Sequence, residues 1–186
     1  RGLEGNDLPR AECEPGVSVL MAYLLDANVF IEAKRRYYGM DFCPAFWEWL
    51  VEQNNAARVF SIEKVGDELR AGTDELADWA TARGKSFFLP PDDPLPKSLA
   101  EISEWVSAQN YRPAAVSAFL EDPDYYLVAH AHAHAHIVVT QEVPSDGVRQ
   151  VKIPNVAIGI KIKFMTPFEM LRLERARFVL GSRKAA

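Results

Sequence analysis

Ala22-Tyr23-Leu24-Leu25-Asp26-Ala27-Asn28-Val29-Phe30 is the stretch on which the fold turns. Four apolar residues in succession read as a buried strand, and Asp26 closes it. From Ala27 to Tyr38 the pattern becomes helical, with Val29, Phe30 and Ala33 at core-facing spacing and Gly39 as a stop. In parallel α/β sheets ligands bind beyond the carboxyl ends of the strands, which is where this reading puts Asp26.

A second run of the same kind, Ile137-Val138-Val139-Thr140, leads to Glu142. Between the two, Pro44 fits the first turn of an aromatic helix through Asn55 that carries Phe46, Trp47, Trp49 and Leu50. Arg58-Val59-Phe60 is a short strand. Ser61 is expected to cap a helix ending near Gly72, and Thr73 to cap the next, Asp74 to Arg83. Ser86 to Leu89 is strand-like, and Pro90-Pro91-Asp92-Asp93-Pro94 is a loop. Helices follow at about 97 to 109 and 113 to 121, and Asp122-Pro123 starts another, with the acid as N-cap and Pro at the first helical position. A last strand near 160 to 165 gives way at Thr166-Pro167 to a terminal helix, Phe168 to about Leu180. Helices alternating with short apolar strands predict an α/β fold, a three-layer α/β/α sandwich around a central, mostly parallel sheet.

With 186 residues, 48% of them hydrophobic, the chain can bury a substantial core, and we expect one domain over residues 21–180. Residues 1–20 read as a flexible N-terminal extension and 181–186 as a loose tail. No apolar run approaches the roughly 20 residues of a membrane helix, and Arg1-Gly2-Leu3-Glu4 lacks the pattern of a secretory signal, so a cytoplasmic location is expected. Two cysteines, Cys13 and Cys43, support neither a disulfide framework nor a Cys-based zinc site. The net charge of −5 argues against a general nucleic-acid coat protein. Local basic groups remain at Lys34-Arg35-Arg36, Lys64 with Arg70, Arg149 with Lys152, and Lys161 with Lys163, each open to a solvated or a substrate-facing role.

Asp26, Glu68, Asp124 and Glu142 each open or end an expected element. Taken one at a time they have ordinary explanations: a helix cap, a dipole-stabilising first-turn acid, a surface charge, a loop charge. Gathered by the fold, they become a pocket of carboxylates, whose ready explanation is a hard divalent ion bound through oxygen, Mg²⁺ or Mn²⁺. At ~5 Å and an effective dielectric of about 20, each pair of charges repels by on the order of 3 kcal/mol, strain that such an ion removes.

The blocks Leu24 to Phe30, Glu68-Leu69-Arg70-Ala71-Gly72, Asp124-Tyr125-Tyr126-Leu127-Val128-Ala129-His130-Ala131 and Val138-Val139-Thr140-Gln141-Glu142 stand in the order and spacing of the PIN-domain ribonucleases. The chain resembles that family over roughly residues 22 to 172, including Ile153-Pro154-Asn155 and Phe164 to Leu171, with the VapC-type toxins nearest in function. The resemblance implies a catalytic and metal-binding set of Asp26, Glu68, Asp124 and Glu142, supported by Asn28 and Thr140. It favours Glu68 over Glu63 and Asp67, and Asp124 over Asp122. Glu142 departs from the family, which usually has Asp there, so its ligand role is the weakest of the four. The implied activity is metal-dependent endonucleolytic cleavage of RNA, by the toxin of a toxin–antitoxin pair that forms a homodimer and meets a cognate antitoxin. From another class, a catalytically weak PIN-like domain that binds protein or RNA is the alternative. A phosphatase of the Asp-x-Asp-x-Thr type fails at Asn28 and Phe30.

All four histidines lie in His130-Ala131-His132-Ala133-His134-Ala135-His136. On a helix, His130 and His134 share one flank and His132 and His136 the other, neither pointing with Asp124. An i, i+4 pair can bind zinc or nickel, but no Cys or acid stands at ligand spacing on the same helix, and a partly solvated helix with an Ala face on the sheet is the preferred reading. For the aromatic helix, core packing is preferred over an interface.

Overall fold

The computed structural model describes residues 21–179. The extension and tail expected at 1–20 and 181–186 lie outside the described residues. Strand β1 (Tyr23–Leu25) is buried throughout and is hydrogen-bonded on both sides. On one side β2 (Val59–Ile62) pairs Tyr23 with Val59, and on the other β4 (Ile137–Val139) pairs Leu24 with Val138. Beyond them stand β3 (Phe88–Leu89) and β5 (Phe164–Met165), giving a five-stranded sheet, all parallel, in the order β3-β2-β1-β4-β5. The chain builds outward from β1 in one direction and then returns to build outward in the other. That reversal opens a crevice at the carboxyl ends of β1 and β4.

Helices cover both faces, as expected for buried parallel strands. In chain order they are α1 (Ala27–Glu32), α2 (Pro44–Asn55), α3 (Glu63–Arg70), α4 (Glu75–Phe87), α5 (Leu95–Ser107), α6 (Pro113–Glu121), α7 (Pro123–His134), α8 (Ile153–Gly159) and α9 (Pro167–Leu173). Helix α1 widens into a π-helical turn over Ala33–Tyr37, closed by Tyr38 N–H on the carbonyl of Ala33. The core runs continuously from Leu24, Leu25, Val138 and Val139 to Phe30, Leu127, Ile153 and Met170. Each such side chain contributes about 1.5–3 kcal/mol by leaving water. Phe46, Trp47 and Leu50 of α2 point into this core, and Tyr38 stacks on Phe46 at 4.4 Å, so the helix spends its aromatics on packing.

Several expected boundaries move. Ser61 does not cap a helix: it lies in β2, and its hydroxyl donates to the Leu25 carbonyl at 2.6 Å, tying β2 to β1. Thr73 yields its expected place to Asp74, whose charged oxygen accepts from the N–H groups of Leu76 and Ala77 at 3.1 and 3.2 Å. Helix α4 runs on to Phe87 through a break at Gly84 (φ 59°, ψ −157°), which reduces the strand expected from Ser86 to Phe88–Leu89. Helix α8 occupies a stretch read only as a closing pattern, and its exit through Lys161 at φ 62° shortens the strand expected from 160 to Phe164–Met165. The terminal helix starts at Pro167 behind a Thr166–Glu169 capping box, and it stops at Leu173 rather than near Leu180. Arg175 turns left-handed (φ 52°) and Ala176 N–H reaches back to Leu171 O, a 6→1 closure that ends a helix.

Candidate active site

Asp26 is the first residue after β1. Its N–H still donates to Val139 of β4, while its side chain caps α1 by accepting from Asn28 N–H at 3.4 Å. The other carboxylate oxygen receives the Thr140 hydroxyl at 2.8 Å. Thr140 Oγ1 in turn accepts from Glu142 N–H at 3.1 Å, so one hydroxyl joins the ends of β1 and β4 across the crevice. Asp26 is 1% exposed and Thr140 likewise, which makes this a buried charge-assisted network rather than a surface cap. Asn28 takes part through its backbone; its side chain is exposed.

Asp124 stands in the first turn of α7, where Asp122 caps the helix by accepting Asp124 N–H at 3.0 Å. Its carboxyl is pushed up to about 8, by burial first and then by the charges of Asp26, Asp122, Glu142 and Glu68. Burial raises Asp26 to about 6; Thr140 and Asn28 oppose the rise, and Glu142 and Glu68 add to it. Glu68, on α3, is raised by burial and by Asp122. Asp26 and Asp124 thus each feel the charges of Glu68 and Glu142, and Asp124 also that of Asp26. Among the described residues no cation is a cause of the shifts at Asp26, Glu68 or Asp124. The competing acids have other duties: Asp67 pairs with Arg70 at 2.8 Å, and Asp122 is the α7 cap.

Glu142 differs from the other three. Its Oε1 takes Lys152 Nζ at 2.5 Å and its Oε2 takes Ile153 N–H at 2.8 Å, so both oxygens are occupied where α8 begins. Nor do any three of the four acids bring one oxygen each within 4.8 Å; among the described residues that spacing is met by Asp92, His130 and His134. The acids are gathered at one end of the sheet, but no three of them converge on a common point among the described residues. Asp26 is buried, Asp124 half-buried and Glu68 exposed; all three carry raised pKa values without a cation among the causes, and their carboxylate oxygens are the donor type that a hard dication takes.

Beside Asp124 opens a shallow cleft whose lining includes Asp122, Arg149, Gln150 and Val151. Of the basic groups, Lys152 pairs with Glu142 and Arg149 lines the cleft that Asp124 also lines. Lys34 is paired with Asp74 at 2.5 Å and Lys64 lies over the Tyr126 ring at 4.1 Å. Sequence reasoning missed the capture of Glu142 by Lys152, the charge of Asp122 acting on its neighbours, and the approach of Asp92 to the histidines. The last could not come from helix spacing, because Asp92 arrives on a separate loop.

An all-parallel, doubly wound α/β protein with acids on both sides of its switch point is the class that fold and site define. The chain belongs to the family described as Domain of unknown function (DUF4411), whose model matches residues 23–178. Comparison with curated proteins and with solved structures found no match. No helix among the described residues is long and apolar enough to cross a membrane.

Proposed function

We propose that the protein is a divalent-metal-dependent endoribonuclease of the PIN type, the toxin of a toxin–antitoxin pair. The observation that carries the reading is Asp26: a buried carboxylate at the switch point, fixed by Thr140 across the strand ends and surrounded by other acids without a compensating cation. A structural acid so placed would normally have a basic partner. Asp26, Glu68 and Asp124 would hold Mg²⁺ or Mn²⁺, which supplies neutralisation of phosphodiester charge and activation of water. Thr140 and Asn28 orient Asp26, and Arg149, lining the cleft beside Asp124, offers a guanidinium to a backbone phosphate. The homodimer and the cognate antitoxin rest on the resemblance alone.

The capture of Glu142 by Lys152 favours a second reading, a PIN-like module that binds RNA or protein without turnover. Incubating the protein with structured RNA and Mn²⁺ separates the two. Cleavage should occur in the wild type and fall by at least 100-fold in Asp26→Asn and Asp124→Asn, as on the order of 10²–10³ follows loss of charge stabilisation at a reacting centre. Glu142→Gln should retain measurable cleavage, because its oxygens already serve Lys152 and Ile153. RNA retained on the protein but uncut by the wild type would establish the second reading, and cleavage unaltered in both Asp variants would place the chemistry elsewhere.

A further inference from the structure

Helix α7 carries a second constellation at its other end. Asp122 and Pro123 start the helix firmly enough that the alternating histidines are read at helical spacing, and His130 and His134 meet with ring centroids 4.7 Å apart. The loop between β3 and α5, Pro90-Pro91-Asp92-Asp93-Pro94, delivers Asp92 to the same place, its Oδ2 2.7 Å from His134 Nε2. The two are close but not aligned for a hydrogen bond. Among the described residues His134 Nε2 and His130 Nδ1 are buried ring nitrogens without a hydrogen-bond partner, and His130 as a residue is only 4% exposed. Proteins rarely leave buried imidazole nitrogens unsatisfied.

The other two histidines are employed elsewhere. His132 Nδ1 meets the Ser98 hydroxyl at 3.1 Å with Glu101 at 3.5 Å, and His136 Nδ1 accepts Ala22 N–H at 3.3 Å. His136 does not share a flank with His132 as helical spacing predicted: α7 ends at His134 and Ala135 turns left-handed, which lays the His136 ring against His134 at 5.5 Å while its Nδ1 stays with Ala22.

We propose that Asp92, His130 and His134 form a binding site for a borderline transition-metal dication of the zinc type, separate from the carboxylates at the sheet end. One donor atom from each lies within 4.8 Å of the others, against about 3.3 Å between ligands in a tetrahedron of 2.0 Å bonds. Asp92 Oδ2 is already 2.7 Å from His134 Nε2, and the Asp92 side chain is 38% exposed on a loop, where it can re-aim around an ion. Two imidazoles and one carboxylate select zinc, cobalt or nickel over magnesium, which demands an oxygen shell. Three protein ligands leave a fourth position open to water or an incoming donor. His130 is six residues beyond Asp124, about 9 Å along the axis and on another face. The site therefore stands whether or not the RNA-cleavage reading does.

Zinc titration of the full chain tests it, with calorimetric stoichiometry and imidazole proton resonances as two readouts. The wild type should take up one Zn²⁺ that excess Mg²⁺ does not displace, with the His130 and His134 resonances shifting. His134→Ala and Asp92→Asn, both altered at partly exposed positions, should bind it at least tenfold more weakly, while Asp26→Asn retains it. Equal Zn²⁺ binding in wild type, His134→Ala and Asp92→Asn would overturn the proposal. So would resonance shifts confined to His132 and His136, or no uptake at all.

Discussion

Asp26 and Asp124 hold their protons more tightly in the folded chain than their ordinary value of 3.8 allows, at about 6 and about 8. Folding therefore binds protons between about pH 4 and pH 8, and in that window the stability of the metal-free protein declines as pH rises. Below the window both states are protonated; above it the folded state carries the whole cost of two buried negative charges. In chelator, the melting temperature should fall from pH 5 to pH 8, and Asp124→Asn should flatten the upper half of that fall. A variant that tracks the wild type between pH 6 and 8 would show that Asp124 is not its source. Adding Mn²⁺ to the wild type should flatten the same region, since an ion that binds only the folded state takes over the proton's role. The positions of Asp26 and Asp124 were legible in the sequence because one follows a strand and the other opens a helix. Their state was not, because the Thr140 hydroxyl reaches Asp26, and the other acids reach both, only through tertiary structure.

At the level of elements, caps and packing decide what the pattern leaves open. Asp122-Pro123 was readable because cap and first helical residue are adjacent, and α7 begins there. The short helix α8 was not, since its seven residues present too little periodicity to separate from a buried strand. Its placement depends on Gly159, where an added Cβ would overlap the Trp105 indole of α5. Gly159→Ala should destabilise the protein by about 1–3 kcal/mol, the usual cost of overpacking a fitted contact. A chemical denaturation series would measure it. A variant as stable as wild type would mean that α8 and α5 can separate without loss, and hence that α8 does not hold the loop carrying Glu142.

Over the whole molecule, one continuous core links the helices on both faces of the sheet, with Phe30, Trp47 and Trp79 toward one side and Phe119, Tyr125 and Ile102 toward the other. Unfolding in urea should be a single transition, coincident by tryptophan fluorescence and far-UV circular dichroism. Two separated transitions would divide the chain into independent units. The fold class was plain from alternating strands and helices, but strand order was not, because pattern does not state which neighbours pair. That order has a temporal side. β1 is laid down early yet takes one of its two sheet partners from β4, and the hydroxyl that fixes Asp26 belongs to a residue 114 positions further on. At about 5–20 residues per second of synthesis, Asp26 waits roughly 6–23 s for Thr140. Through that interval the growing chain has an exposed central strand and no assembled pocket. Whatever the pocket does is thereby withheld from a nascent polypeptide and begins only when β4 has emerged.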